Sequence, residues 1–328
     1  MIIPTYWAEA RLQHRDRKRQ VTVRRFGWSD ISEADAQAHA DVRVRDALDR
    51  TLAGETPLRR ERRVAYNGAE GVPIREQIVD RDGNTVITRN GYGALCLNTP
   101  NVLFADIDFS HKADGSALLL VMVGLLVITF AVLTAGFGTR LFPAGIIASI
   151  VALILCAPVA NLLRKVSRKA RGGDEKIARD RVAAFLRQHP DWHVRVYRTP
   201  AGLRLLALHR LFDPRETEVK DCFDALGVDP MYAQMCFNQN CFRARISPKP
   251  WRIGLPRLRP PYSAAWRPEH ADLQARREWI AAYESEAEEY AACRYVETLG
   301  SAHADPAAEA VQHLHDAFCR IDQDLKIA

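Results

Sequence analysis

The sequence predicts an α/β (α+β) cytoplasmic domain with a mixed sheet, interrupted by a two-helix transmembrane hairpin and followed by a helical C-terminus. Three observations predict it. Two uncharged apolar runs, residues 117–137 and 141–163, stand in the middle of an otherwise charged chain of 328 residues. Strand-like alternation and turn signals lie on both sides of them. Charged, Ala-rich stretches of helical character close the chain. The resulting division is 1–115 for the first part of the α/β domain, 116–163 for the hairpin, 164–255 for the second part, and 256–328 for a Pro-rich connector and C-terminal helices.

Neither apolar run holds an Asp, Glu, Lys, Arg or His. Each is long enough to cross a bilayer core of roughly 30 Å at roughly 1.5 Å per residue. Helices that are apolar all round are found in lipid or at the centre of large proteins, so a pair of buried core helices is the alternative. Only Gly138, Thr139 and Arg140 separate the runs, which implies a tight hairpin. Arg164, Lys165, Arg168, Lys169 and Arg171 follow the second run, whereas the turn carries Arg140 alone. Basic flanks face the cytoplasm. The expectation is a multi-pass protein of the inner (plasma) membrane with both termini cytoplasmic. The lipid bilayer is then a partner, and those five side chains would meet anionic headgroups at about 1 kcal/mol each.

Residues 1–12 lack the apolar centre of a signal peptide. The seven cysteines are odd in number and scattered, which fits a reducing compartment better than a disulfide framework. The formal net charge of +6 is explained in part by the basic flank and is no direct sign of a nucleic-acid partner.

Before the runs, residues 20–26 alternate as a strand. Residues 32–53 read as a helix with Ser32 or Ser29 as N-cap. Residues 74–80 and 85–89 flank Arg81-Asp82-Gly83-Asn84 as a hairpin. Residues 101–109 are apolar enough for the centre of a sheet. After the runs, Asp174–Gln188 reads as a helix, with strands at 193–197 and 203–209 around Thr199-Pro200-Ala201-Gly202. A helix over 216–226 is closed by Gly227. Residues 242–246 form a further strand, and 250–268 are irregular. Long helices are expected over 269–299 and 306–325. The helix-strand-strand-helix order after the runs complements the strands before them. One sheet would therefore receive the hairpin as an insertion, with the segments around Asp106 and 203–209 as neighbours.

Asp106 and Asp108, two residues apart, share a strand face. Such carboxylates can hold a divalent ion, Mg or Mn; alternatively one of them caps or salt-bridges. The turn containing Thr199 and Gly202, with Arg204 and His209, suits a phosphate or is an ordinary hairpin. From Pro230 to Pro268 there is no Asp or Glu, while Arg243, Arg245, Lys249, Arg252, Arg257, Arg259 and Arg267 are interleaved with Trp251, Tyr262 and Trp266. That pattern fits a nucleotide or nucleic acid, or the anionic leaflet. Alternation places Arg243 and Arg245 on one strand face, aimed at a common spot. Cys222, Cys236 and Cys241 lack an obvious fourth metal ligand. His303, His313 and His315 lie in a charged helical stretch and read as solvated.

Phe104-Ala-Asp106-Ile-Asp108-Phe109 followed by Arg198-Thr-Pro-Ala-Gly-Leu-Arg204 resembles the archaeo-eukaryotic primase superfamily, including primase–polymerases, over roughly residues 101–252 without the hairpin. The resemblance implies metal-binding acids at Asp106 and Asp108 and a nucleotide-contacting histidine on the later strand. At that histidine's place the chain has Leu205, and His209 lies four residues on. Asp213, Asp224 and Asp229 are the acids available as a third metal ligand.

Two function classes follow. One is a non-catalytic scaffold or partner-binding module on the membrane, meeting a protein partner through the C-terminal helices. The alternative is a membrane-anchored, primase-polymerase-like nucleotide or nucleic-acid binding domain with metal-dependent nucleotidyl or phosphoryl transfer.

Overall fold

The computed structural model describes residues 3–16, 19–61, 74–109, 115–136, 138, 140–259 and 266–328. In chain order the elements are β1 (Tyr6–Arg15), β2 (Gln20–Ser29), α1 (Glu33–Leu52), β3 (Gln77–Asp82), β4 (Thr85–Arg89), β5 (Leu95–Thr99), β6 (Phe104–Asp108), α2 (Gly115–Ala131), α3 (Leu141–Ala170), α4 (Asp174–Gln188), β7 (His193–Arg198), β8 (Gly202–Ala207), α5 (Thr217–Leu226), α6 (Pro230–Gln239), β9 (Phe242–Arg245), α7 (Gln274–Ala287), β10 (Tyr290–Ala291), β11 (Arg294–Gly300), α8 (Pro306–Cys319) and β12 (Lys326–Ile327). The fold is mixed α/β. The chain divides into two compact units: Met1–Asp106 with His189–Pro200 and Arg204–Ala328, and Ile107–Gln188 with Ala201–Leu203.

The larger unit begins with an antiparallel ribbon, β1 on β2, covered by α1. Ser32 caps α1 by accepting from the Asp35 amide, as the Ser-led start of the helix suggested. Ala10, Val21, Val23, Ala40 and Val44 form the core of this layer. The helix comes so close that a Cβ on Gly27 would lie 2.1 Å from the Ala36 carbonyl oxygen, so no larger residue fits there. Strand β1 was not foreseen. Its charges at Glu9, Arg11 and Arg15 mask an inward row of Ala8, Ala10 and Leu12.

A second antiparallel sheet has the order β3-β4-β5-β9. Gly83 and Asn84 make its first turn, as expected from the sequence. Strand β9 joins β5 with Asn98 opposite Arg243 and Cys96 opposite Arg245. A third sheet has the order β11-β7-β8-β6. It makes β6, which precedes the apolar helices, and β8, which follows them, neighbours, as the segment order suggested, but the single mixed sheet expected does not form: β1 and β2 stand apart, β3, β4 and β5 pair with β9, and of the strands before the apolar helices β6 alone joins β7 and β8.

The C-terminal third differs from expectation in three places. Residues 269–299 are not one helix: a short 3-10 turn (Pro268–Asp272) leads to α7, and the chain then turns extended through β10 and β11. Arg294-Tyr-Val-Glu-Thr-Leu-Gly carries β-branched and aromatic residues that suit a pleated edge, and it pairs with β7. The last helix ends at Cys319 rather than near 325, because Arg320 adopts a left-handed conformation (φ 56°) that closes it. Helix α6 was not anticipated either. Asp229 caps it by accepting from the Met231 amide, and Pro230 occupies its first turn.

In the smaller unit, α2 passes through a π-helical turn (Val132–Gly136), and α3 packs on α2. Ala144, Ala148 and Ala152, spaced four apart, are buried and make the seam, the small-residue contact by which apolar helices approach closely. Most of the remaining surface is apolar and exposed, with Ile128 at 63% and Leu153 at 72%. Two helices, Leu118–Gly136 and Leu141–Ala170, are long and apolar enough to cross a membrane. Helix α3 does not stop at residue 163 but continues through the basic segment, and Gly172 and Gly173 follow its end with positive φ.

Candidate functional site

The sequence-derived acids and bases are placed by strands β6 and β8. Arg204 on β8 is 2% exposed and donates from Nε to Asp106 Oδ1 at 2.7 Å and from Nη2 to Asp106 Oδ2 at 3.1 Å. A two-armed fork of this kind is the strongest geometry available to a carboxylate. Burial works against the guanidinium charge. The Asp106 carboxylate outweighs burial and holds Arg204 above its ordinary value. The third donor, Nη1, reaches the Arg245 carbonyl at 2.8 Å and lies 3.4 Å from His315 Nε2.

His315 extends this pair into a buried network. It is fully buried on the inner face of α8, not solvated as its charged neighbourhood suggested. Its Nδ1 meets Asp316 Oδ1 at 2.9 Å, and Asp316 Oδ2 accepts from Arg195 Nη2 at 3.0 Å. Arg195 Nε in turn donates to the Tyr197 hydroxyl at 2.9 Å. On the other side of the ring, Nε2 lies 3.5 Å from Cys319 Sγ and 4.0 Å from Cys293 Sγ. The hydrogen bond with Cys319 pulls the Cys293 thiol well below its usual range. Burial opposes this, and His315 and Arg204 add to it. Burial pushes Cys319 up. Two thiols and an imidazole nitrogen thus converge, and Cys293, His315 and Cys319 are the described residues able to hold a metal together. The available signal was His315 and Cys319 four apart on one helix face. Cys293 escaped notice because its segment read as helix.

The other expected site residues separate. Arg243 is buried and donates to Glu76 Oε2 at 2.6 Å, whereas Arg245 donates to the Ser247 carbonyl. They share a strand face but not a target. Gly202 is small because β6 passes against it: an added Cβ would lie 1.8 Å from the Ile107 carbonyl oxygen. Thr199 is buried in the turn, and Asp108 is half-buried at the end of β6.

His209 is 7% exposed and packs on Trp192 and Phe212 with ring centroids 4.7 and 5.3 Å away. Neither of its ring nitrogens has a hydrogen-bond partner among the described residues. Asp229 caps α6, and its amide donates to the Asp106 carbonyl. Asp224 pairs with Lys220, and Asp213 accepts from the Arg215 amide. Lys249 and Arg257 flank an exposed Trp251 at 5.5 and 4.7 Å from its ring, while Arg252 ends a 3-10 turn. Tyr262 lies outside the described residues.

Of the proposed headgroup contacts, Arg168 donates to Asp174 Oδ1 at 2.6 Å and to the Phe109 carbonyl. Lys165, Lys169 and Arg171 are exposed, and Arg164 is half-exposed. Cys222, Cys236 and Cys241 are buried free thiols. Burial pushes all three up, Cys241 to about 11.

Comparison of the chain with protein-family models, with curated proteins and with solved structures finds no match.

Proposed function

We propose that the protein is a membrane-attached, non-catalytic binding module. Helices α2 and α3 form its hairpin in an inner or plasma membrane, and both chain ends lie on the cytoplasmic side. The exposed Lys165, Lys169 and Arg171 at the end of α3, against Arg140 alone at the turn, support that direction. The observation that carries the non-catalytic reading is the bidentate Arg204–Asp106 pair. A carboxylate whose two oxygens already hold a buried guanidinium is poorly placed to ligate Mg or Mn. Its removal would also strand Arg204.

Helix α8 turns Ala308, Val311, His315 and Cys319 inward, so α7 offers the more accessible C-terminal surface for a protein partner. A second reading, a primase-like nucleotide site, draws on the adjacency of β6 and β8, which brings an acid and an arginine together. Calorimetry with a manganese nucleotide separates the two. The module reading expects equal, negligible heats from the wild type and from Asp106→Ala/Asp108→Ala. A saturable heat lost in the variant would establish the nucleotide site instead.

A further inference from the structure

We propose that Cys293, His315 and Cys319 form a zinc site that ties α8 to the segment between β10 and β11. Zinc prefers thiolate and imidazole ligands, with Zn–S of roughly 2.3 Å and Zn–N of roughly 2.0 Å. Tetrahedral angles then set sulfur and nitrogen roughly 3.5 Å apart. The observed separations from His315 Nε2 are 3.5 Å to Cys319 and 4.0 Å to Cys293, and all three donor atoms lie within 4.8 Å of one another. Each of the three residues is fully buried.

The surroundings complete the pattern. A zinc-bound histidine commonly gives its other nitrogen to a carboxylate, which orients the ring. Here His315 Nδ1 meets Asp316, itself anchored by Arg195. The scaffold is already aligned, since the Ala292 amide donates to the Cys319 carbonyl at 3.3 Å. Charge does not oppose the ion. Two thiolates neutralise Zn²⁺, and the adjoining Arg204 is neutralised by Asp106. Zinc on Nε2 would displace the contact of Arg204 Nη1 with that nitrogen at 3.4 Å, while Nη1 keeps its bond to the Arg245 carbonyl at 2.8 Å.

The test uses the full chain, purified in detergent under reducing conditions and dialysed against buffer containing zinc and then against metal-free buffer. Elemental analysis should find one zinc per chain. Cys293→Ser and Cys319→Ser should each lower that at least tenfold, while Cys222→Ser, a buried cysteine elsewhere, should not. Should the serine variants fail to fold, cobalt(II) added to the metal-stripped wild type decides. The proposal expects the thiolate-to-cobalt charge-transfer band and the visible bands of a tetrahedral site, abolished by equimolar zinc. Metal below a tenth of an equivalent with no cobalt spectrum would overturn it. So would a Cys293–Cys319 disulfide, found by mass spectrometry, in protein that had been kept reduced.

Discussion

Arg204 Nε and Nη2 hold the two oxygens of Asp106 at 2.7 and 3.1 Å, across 98 residues of chain. The arginine is buried and the aspartate side chain is 29% exposed, so the two partners are not equivalent. Breaking such a pair by removing one side typically costs 3–5 kcal/mol, because the other charge is left buried. Asp106→Ala should therefore lower unfolding stability by about 3 kcal/mol, near the bottom of that range because Asp106 is partly solvated. Asp106→Leu with Arg204→Met should recover most of the loss. Denaturant unfolding of the single and double variants checks this; simple additivity would show that the pair is not coupled.

Gly202 separates a phosphate cradle from strand packing. If its role is the close approach to the Ile107 carbonyl, Gly202→Ala should destabilise the protein by roughly 1–3 kcal/mol or more, the cost of overpacking. Thermal unfolding without any ligand measures the effect. An unchanged midpoint would return Gly202 to a ligand role.

His209 carries a pH signature. Burial disfavours its imidazolium and lowers its pKa in the fold, below the ordinary ~6.5 of the unfolded chain. As pH falls, the unfolded chain takes up this proton first. The stability tied to neutral His209 is thus complete above pH ~6.5 and declines as pH drops from there toward the folded value, by at most about 1.4 kcal/mol per pH unit. His209→Phe keeps a ring against Trp192 and Phe212 and removes two nitrogens that lack partners among the described residues. The variant should lose less stability than wild type between pH 7 and pH 5. Parallel curves would contradict the assignment.

Much of the fold was legible where local chemistry decides it. Ser32 announces α1, Gly227 closes α5 with φ 68°, and the Gly83-Asn84 turn sets the β3–β4 hairpin. The β6–β8 pairing followed from the order of segments. What stayed hidden depends on tertiary partners. The strand β11 reads as helix until β7 is present to pair with it, and β1 needs the α1 face to reveal its inward row. At the site, Asp106 and Arg204 were both recognisable as functional-type residues. A salt bridge at one of the two aspartates was an open alternative; that Arg204 is the partner was not legible, because the sequence does not give the register between β6 and β8. His315 looked solvated because its neighbours Glu309 and His313 face solvent, whereas Asp316 turns inward with it and bonds its ring.

Membrane attachment makes a separate prediction. The full chain should sediment with membranes and resist alkaline carbonate extraction. Leu153 is 72% exposed on α3, and an arginine at a spanning helix's centre costs about 2.5–3.5 kcal/mol on insertion scales. Leu153→Arg should shift a measurable fraction of the protein to the extractable pool. Full extraction of the wild type would contradict the spanning hairpin.

The most direct test of the central claim, that Asp106 serves the fold and not a catalytic metal, is electron paramagnetic resonance of free manganese(II) titrated with protein. The zinc-type thiolate cluster ranks manganese low among divalent ions, and Asp106→Asn keeps all three of its ligands. The account predicts the same free-manganese signal with wild type and with Asp106→Asn. Sequestration of one manganese per chain by wild type, released in the variant, would contradict it.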